Sequence, residues 1–226
     1  MKNSKNSNSS PPSSEKRYSP GVRKLLFALQ VSFVLVLLII WLSSKSIQSS
    51  HSLWVLFFYS FPSEFLIAVV PHEPVLLYFG KFYPPLTVAV TAIIGTVLTE
   101  ALNYSVIGYI TDTNLFQKIR QKKTASKIIQ LFQKAPFLAL WIAGFTPVPF
   151  YPFRLLVVLA RYPVMKYLVA VFLSRAPRFY ILAFLGHAIK FPDYILVALF
   201  VILIAFMNFT LVKNLIKKKK ILKKNA

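Results

Sequence analysis

The sequence predicts an all-α integral membrane protein with about four transmembrane helices and two facing re-entrant hairpins arranged like an inverted repeat. Of the 226 residues, 56% are hydrophobic, and several apolar runs approach the roughly 20 residues that cross a bilayer. Two other apolar runs are broken by clustered prolines and contain ionisable residues. The 27 lysines and arginines lie mainly in three blocks outside the apolar runs, a pattern that reports membrane orientation.

Composition divides the chain into one membrane domain and two tails. Residues 1–22 are predicted to be a disordered, basic, cytoplasmic tail, because Ser, Asn, Pro and Lys predominate and little apolar surface is available for burial. Residues 23–212 form the predicted membrane domain, and residues 213–226 form a Lys-rich cytoplasmic tail.

Four unbroken apolar runs predict the spans. The first, Leu25–Leu42, would be about 27 Å long as a helix, which favours an uncleaved anchor over the alternative of a cleaved signal peptide. The other three are Pro84–Ile110, Tyr162–Ile189 and Tyr194–Val212. In the run Pro84–Ile110, Ala92 and Gly95 are expected to allow close helix contact. The loop Thr111–Ala135 carries six basic residues among apolar ones and predicts a helix lying on the membrane surface.

The distribution of basic residues predicts that the two broken segments are hairpins that do not cross the membrane. If the N-terminal tail, the 111–135 loop and the C-terminal tail are all cytoplasmic, an even number of crossings must separate each pair. Phe61–Lys81 and Pro136–Arg161 are the segments that contain clustered prolines, so each is predicted to enter and leave on one face. The first then opens outward and the second inward, as in the inverted repeats of transporters.

Three acids and three arginines fall inside this predicted membrane region. Such a group costs roughly 2.5 to 3.5 kcal/mol on insertion scales, so each is expected to be paired or hydrated. Together with one histidine they are the candidate pathway for a lipid substrate or for protons: Glu64, His72, Glu73, Glu100, Arg154, Arg175 and Arg178.

Some of these residues have two open interpretations. Glu100 lies in a long regular run and is either a site residue or the structural partner of one arginine. His72, beside Glu73 and between two prolines, either relays protons or is a satisfied loop histidine. Arg175 and Arg178 share one helix face, and a guanidinium fork suits a phosphate or a carboxylate.

Two stretches resemble a known family. PSEFLIAVVPHEPVLLYFGKFYP is similar to the first motif of the DedA/VTT membrane proteins, also called the SNARE-associated Golgi family. GFTPVPFYPFRLLVVLARYPVMKYLVAVFLSRAPRFYILAFLG resembles their second motif. The resemblance implies movement of lipids across membranes, as flippases of polyprenyl-phosphate carriers in bacteria or phospholipid scramblases in eukaryotes, with proton coupling proposed for some members. It also implies Glu64 and Glu73 as the acidic pair and Arg154 as the hairpin arginine.

The chain departs from the family pattern in one place. Members often carry an earlier arginine ahead of the Pro-rich turn, where this chain has Gly144, Phe145 and Thr146. The resemblance therefore does not supply a two-arginine clamp within the hairpin. Arg175 or Arg178 is the expected substitute from the neighbouring span.

The expected function is that of a membrane lipid transporter, a flippase or scramblase of anionic phospholipid or polyprenyl-phosphate lipid, with protons as a candidate coupling ion. A proton- or cation-coupled carrier of small solutes and a non-catalytic scaffold are the alternatives. No enzyme activity, cofactor or metal is expected, because His/Glu metal spacing, a nucleophile elbow and a phosphate-cradling Gly loop are all lacking.

Membrane lipids are the expected partners, nucleic acid is not, and self-association is left open. The short chain favours a bacterial inner membrane with both termini cytoplasmic. The C-terminal sequence KKNA also resembles a dilysine retrieval signal, so the endoplasmic reticulum is the alternative.

Overall fold

A computed structural model describes residues 20–48, 50–66, 70–111, 123–146 and 150–205. Most of the two predicted tails and the end of the last predicted span lie outside these ranges. Within them every regular element is a helix, in the order α1 Pro20–Ser43, α2 Lys45–Gln48, α3 Leu53–Glu64, α4 Glu73–Gly80, α5 Pro85–Thr111, α6 Lys123–Lys134, α7 Pro136–Phe145, α8 Tyr151–Leu159, α9 Val164–Ile189 and α10 Asp193–Ala205.

Two of the described helices are long and apolar enough to cross a bilayer, α5 with 27 residues and α9 with 26. They confirm the second and third predicted spans, and Pro177 lies inside α9 without ending it. A third span results if α6 and α7, which meet at 93°, are counted as one bent helix. Within the described residues, the apolar stretches of α1 and α10 are Ala28–Trp41 and Asp193–Ala205, both shorter than 18 residues, and the description of α10 ends at residue 205. The protein therefore has two to three candidate spans among its described residues, and the total of four stays a prediction.

Each predicted broken segment contains two short helices separated by a break. The second one, α7 and α8, closely matches its predicted bounds. The first one, α3 and α4, begins at Leu53, so the predicted start at Phe61 was wrong. Pro62 is accommodated in the last turn of α3, and the helix ends where the Phe65 N–H donates to the Phe61 carbonyl oxygen at 2.9 Å. The return of each element to the face where it enters stays a prediction.

The halves of each broken element pack on different long helices. In the first element α3 packs mainly on α5, whereas α4 packs mainly on α9. In the second element the assignment is reversed, because α7 packs on α9 and α8 on α5. The long helices also pack on each other. The breaks therefore lie where the chain passes from one long helix to the other, and the inverted repeat stays a prediction.

Glycines bring these helices into backbone contact. A Cβ atom on Gly80 of α4 would overlap the Ala183 carbonyl oxygen, and one on Gly186 of α9 would overlap the Leu77 carbonyl oxygen. On α5, a Cβ on Gly95 would lie 2.8 Å from the Phe57 carbonyl oxygen. The expected role of Gly95 in close helix contact is confirmed, and small residues allow such approach in membrane bundles.

The outer faces of the long helices are apolar. On α5, Val90, Ile94 and Leu98 recur every four residues and are all exposed. On α9, Val169, Phe172 and other large apolar side chains are exposed in the same way. An apolar stripe of this extent on a soluble protein would mark an interface, whereas on a membrane span it faces lipid.

Candidate functional site

The centre of the candidate site is the carboxylate of Glu100, which lies fully buried on α5. Arg154 donates from Nε to both carboxylate oxygens at 3.0 and 2.9 Å, and from Nη2 to Oε1 at 2.6 Å. Arg175 donates from Nη2 at 3.0 Å, the Tyr167 hydroxyl at 2.6 Å and Asn103 Nδ2 at 3.1 Å. One carboxylate thus accepts hydrogen bonds from four side chains that come from three helices.

Arg175 connects this centre to the first broken element. Its Nη1 donates to Glu64 Oε2 at 2.5 Å, while its Nη2 bonds Glu100. The guanidinium carbon also lies 4.5 Å from the centroid of the Phe150 ring, a cation–π distance. Glu64 and Arg175 are both buried, so the pair is shielded from solvent and each charge depends on the other.

The third pair, Glu73 and Arg178, is the most accessible. Arg178 Nη2 donates to Glu73 Oε1 at 2.6 Å, with side-chain exposures of 22% for Arg178 and 36% for Glu73. Arg178 Nη1 also reaches the carbonyl oxygens of Gly144 at 3.5 Å and Thr146 at 3.3 Å. Arg178 of α9 therefore places a guanidinium beside Gly144 and Thr146, the stretch for which the sequence analysis expected a substitute arginine.

The break after α3 is held by the same network. Leu66 has a φ of 46°, a left-handed conformation that is unfavourable for a residue with a branched side chain. Its N–H donates to Asn103 Oδ1 at 2.7 Å, and its carbonyl oxygen accepts from Arg154 Nη1 at 2.9 Å. Asn103 Nδ2 donates in addition to the Glu64 carbonyl oxygen at 3.0 Å. These side-chain bonds stabilise the strained backbone where α3 ends.

His72 lies at the same break, but it takes part in no ion pair among the described residues. Its Nδ1 is 2.9 Å from Ser63 Oγ, and its ring centroid is 6.0 Å from that of Tyr59 and 5.1 Å from that of Phe179. The Tyr59 hydroxyl donates to the Pro71 carbonyl oxygen at 2.8 Å. Among the described residues, the buried His72 Nε2 has no hydrogen-bond partner. The ring is thus fixed by neutral neighbours, and its role in a proton pathway stays a hypothesis.

All three acids and all three arginines of the predicted constellation are ion-paired. The expectation that each of these groups is paired or hydrated is confirmed by the ion pairs, whereas their role in a lipid or proton pathway stays a prediction. Removing one partner of a buried pair typically costs 3–5 kcal/mol. The arrangement can hold the charges in an apolar surrounding and can exchange a carboxylate for another anion at the accessible pair.

The sequence did not indicate the neutral members of the network, which are Asn103, Tyr167, Ser63 and Phe150. Asn103 could have been found, because it follows Glu100 by three residues on one helix face. Tyr167 lies on another helix and carries no comparable signal. Among the residues that the structure describes, His, Asp and Glu nowhere form a group of three able to hold a metal ion.

A family model described as the VTT domain matches residues 70–188, just over half of the chain. This range includes Glu73, Glu100 and all three arginines of the network, whereas Glu64 lies before it. No curated protein sequence and no solved structure matches the chain.

Proposed function

Because the chain belongs to the VTT-domain family of membrane proteins, the DedA/SNARE-associated Golgi protein family, we propose that it moves anionic lipids across a membrane. The substrate class is an anionic phospholipid or a polyprenyl-phosphate lipid. The observation that carries the proposal is the accessible pair of Arg178 and Glu73, which lies at the edge of a buried network containing two further arginines.

Arg178 is the proposed first contact for a lipid phosphate. Its carboxylate partner Glu73 is more exposed than the other two acids, with a side-chain exposure of 36% against 10% for Glu64 and 0% for Glu100. An incoming phosphate therefore displaces Glu73 with the smallest loss of buried structure. The guanidinium fork can bind two phosphate oxygens at once, so one anion replaces another.

Transfer of the lipid phosphate from Arg178 into the buried network would use Arg175 and Arg154. Arg175 is three residues before Arg178 on α9, and both inner guanidinium groups share the Glu100 carboxylate. A phosphate that reaches Arg175 competes with Glu64, the acid to which its Nη1 is bound. A carboxylate released in this way can take up a proton, which makes Glu73 and Glu64 the proposed residues for coupling to protons.

The acyl chains need no enclosed pathway in this scheme. The exposed faces of α5 and α9 and of α7 are apolar, so the tails stay in the hydrocarbon while the phosphate follows the arginines. No bond is made or broken, and we propose neither an enzymatic step nor a cofactor. The proposed location is a bacterial inner membrane with cytoplasmic termini, with the endoplasmic reticulum as the alternative.

Lipid movement in vesicles tests the proposal. Protein reconstituted with fluorescent phosphatidylglycerol is treated with dithionite, which quenches label in the outer leaflet. We expect Arg178→Gln to slow the movement by roughly tenfold or more, equivalent to about 1.4 kcal/mol in the barrier. Lys81→Gln is the matched control, because Lys81 forms an ion pair with Asp193 outside the network.

Four outcomes would contradict the proposal. Movement no faster with protein than without it excludes lipid transport. Equal movement in wild type and Arg178→Gln excludes Arg178 as the contact for the lipid phosphate. Uptake of a small solute driven by a pH gradient, without lipid movement, would favour a solute carrier. Absence of both activities, with Arg178→Gln fully functional in cells, would favour a scaffold.

A further inference from the structure

We propose that α6 lies in the membrane–water interface and binds the headgroups of anionic lipids. This surface is separate from the ion-pair network, and the proposal does not depend on lipid transport. It rests on the angle between α6 and α7, on the apolar side chains that α6 exposes and on the distribution of its charges.

The first observation is the angle at which α6 meets α7. The two helices are joined at Ala135 and differ in direction by 93°. The sequence of α7, PFLALWIAGF, contains no charged residue, and its side chains Phe137, Leu138 and Ile142 are exposed. Such a helix belongs in hydrocarbon. A helix at a right angle to one that enters the hydrocarbon along the membrane normal runs parallel to the membrane surface, as interfacial helices do.

The second observation is that only part of the apolar surface of α6 is used in packing. Ile129 and Phe132 are buried, and Phe132 belongs to a cluster with Leu140 of α7 and Val157 of α8. Ile128 and Leu131 are instead 48% and 69% exposed. The helix is therefore fixed on its neighbours by one face, and an adjacent apolar flank remains available to lipid.

The third observation is the position of the charges next to that flank. Lys127 and Lys134 are exposed and lie four and three residues from Leu131, so all three share one side of the helix. Apolar side chains below lysines are typical of interfacial helices, because the stem of lysine follows the apolar surface while the ammonium reaches the headgroups.

The charge of the segment selects anionic lipid over zwitterionic lipid. The helix KTASKIIQLFQK contains three lysines and no acidic residue. No acidic residue occurs between residues 113 and 135 of the sequence. The lysines of α6 therefore have no acidic neighbour along the helix, and phosphate groups of anionic headgroups complement them.

Spin labelling tests the location of α6. The chain contains no cysteine, so Leu131→Cys and Gln130→Cys each introduce a unique site for a nitroxide label. Both side chains are exposed, but they lie about 100° apart on the helix. In proteoliposomes we expect the label at position 131 to collide mainly with oxygen and the label at 130 mainly with a water-soluble nickel chelate. Equal accessibility to nickel at both positions would overturn the interfacial location.

A second measurement tests the choice of lipid. Spin-labelled phosphatidylglycerol and phosphatidylcholine are compared for association with the full-length protein. We expect preference for phosphatidylglycerol, with the preference reduced by up to about fivefold for each charge removed in Lys127→Gln and Lys134→Gln. The control is Lys190→Gln, which removes an exposed lysine after α9. An equal loss in the control, or no loss in the double variant, would overturn the headgroup contact.

Discussion

Arg154 on α8 donates a hydrogen bond from Nη1 to the carbonyl oxygen of Leu66 at 2.9 Å. This contact joins the second broken element to the break in the first, since Leu66 lies two residues after the end of α3. The same guanidinium binds Glu100 with its other nitrogens. Charge pairing and the backbone conformation of the break are therefore parts of one network.

Neutralising Glu100 should destabilise the protein strongly. Glu100→Gln removes the carboxylate charge that two buried arginines share, and leaving such charges uncompensated costs roughly 3–5 kcal/mol. Glu73→Gln is the comparison, because this pair is partly exposed and its loss should cost about 1 kcal/mol or less. Unfolding in detergent micelles measures both, and equal losses would contradict the central role of Glu100.

Removing the Asn103 side chain should loosen the break after α3. Asn103→Ala deprives the Leu66 N–H and the Glu64 carbonyl oxygen of their side-chain partners, at about 1–3 kcal/mol for each buried group left unsatisfied. We expect faster hydrogen exchange of the Leu66 amide. Thr99→Val is the control, because the Thr99 hydroxyl donates to the Gly95 carbonyl oxygen of its own helix. Unchanged exchange in Asn103→Ala would show that the break holds without this residue.

Adding a methyl group at the contact between α4 and α9 should be poorly tolerated. In Gly186→Ala the new Cβ overlaps the backbone of Leu77, so the helices must separate, at a cost of typically 1–3 kcal/mol. Gly108→Ala is the matched control because nothing lies within 4 Å of its Cβ position. There alanine should stabilise the helix by up to about 1 kcal/mol. Thermal unfolding of both variants measures the contrast, and a loss of the same size in each would refute it.

Replacing Lys190 by glycine should stabilise the protein. Lys190 caps α9 with a φ of 49°, and its N–H donates to the Gly186 carbonyl oxygen. Glycine adopts this left-handed conformation without the steric cost of about 1 kcal/mol that other residues carry. We expect a Tm increase of about 2–4 °C. The same change at the exposed Lys166 inside α9 should lower Tm instead, and a decrease for both variants would contradict the effect of the cap.

The sequence predicted the features that have a large energetic cost. Length and apolarity identified α5 and α9, and clustered prolines identified both breaks. The cost of an unpaired charge in an apolar surrounding predicted that each of the three acids and three arginines is paired or hydrated, and the structure pairs all six. These predictions succeeded because each depends on composition within one segment or on the total charge.

Other features depend on how helices far apart in sequence are aligned. Exchanging the acids among the arginines leaves the total charge unchanged, so the sequence could not predict that Glu100 is shared by two arginines or that Arg178 binds Glu73. Tyr167 donates to Glu100 across 67 positions of the chain, and nothing local marks it. The predicted start of the first broken segment at Phe61 was wrong because clustered prolines mark a break only approximately: Pro62 lies inside α3, two residues before its end.

The division of packing between α5 and α9 determines which ion pairs a separation of these two helices would break. Arg154 on α8 is bonded to Glu100 on α5, and α8 packs on α5. Arg178 on α9 is bonded to Glu73 on α4, and α4 packs on α9. Each of these two pairs therefore lies on one side of the boundary between α5 and α9. Arg175 alone among the three arginines crosses the boundary, from α9 to Glu64 and Glu100. Opening the protein along this boundary therefore requires Arg175 to lose both of its carboxylates. An anion that binds Arg175 would compensate that loss and so act as the trigger for opening.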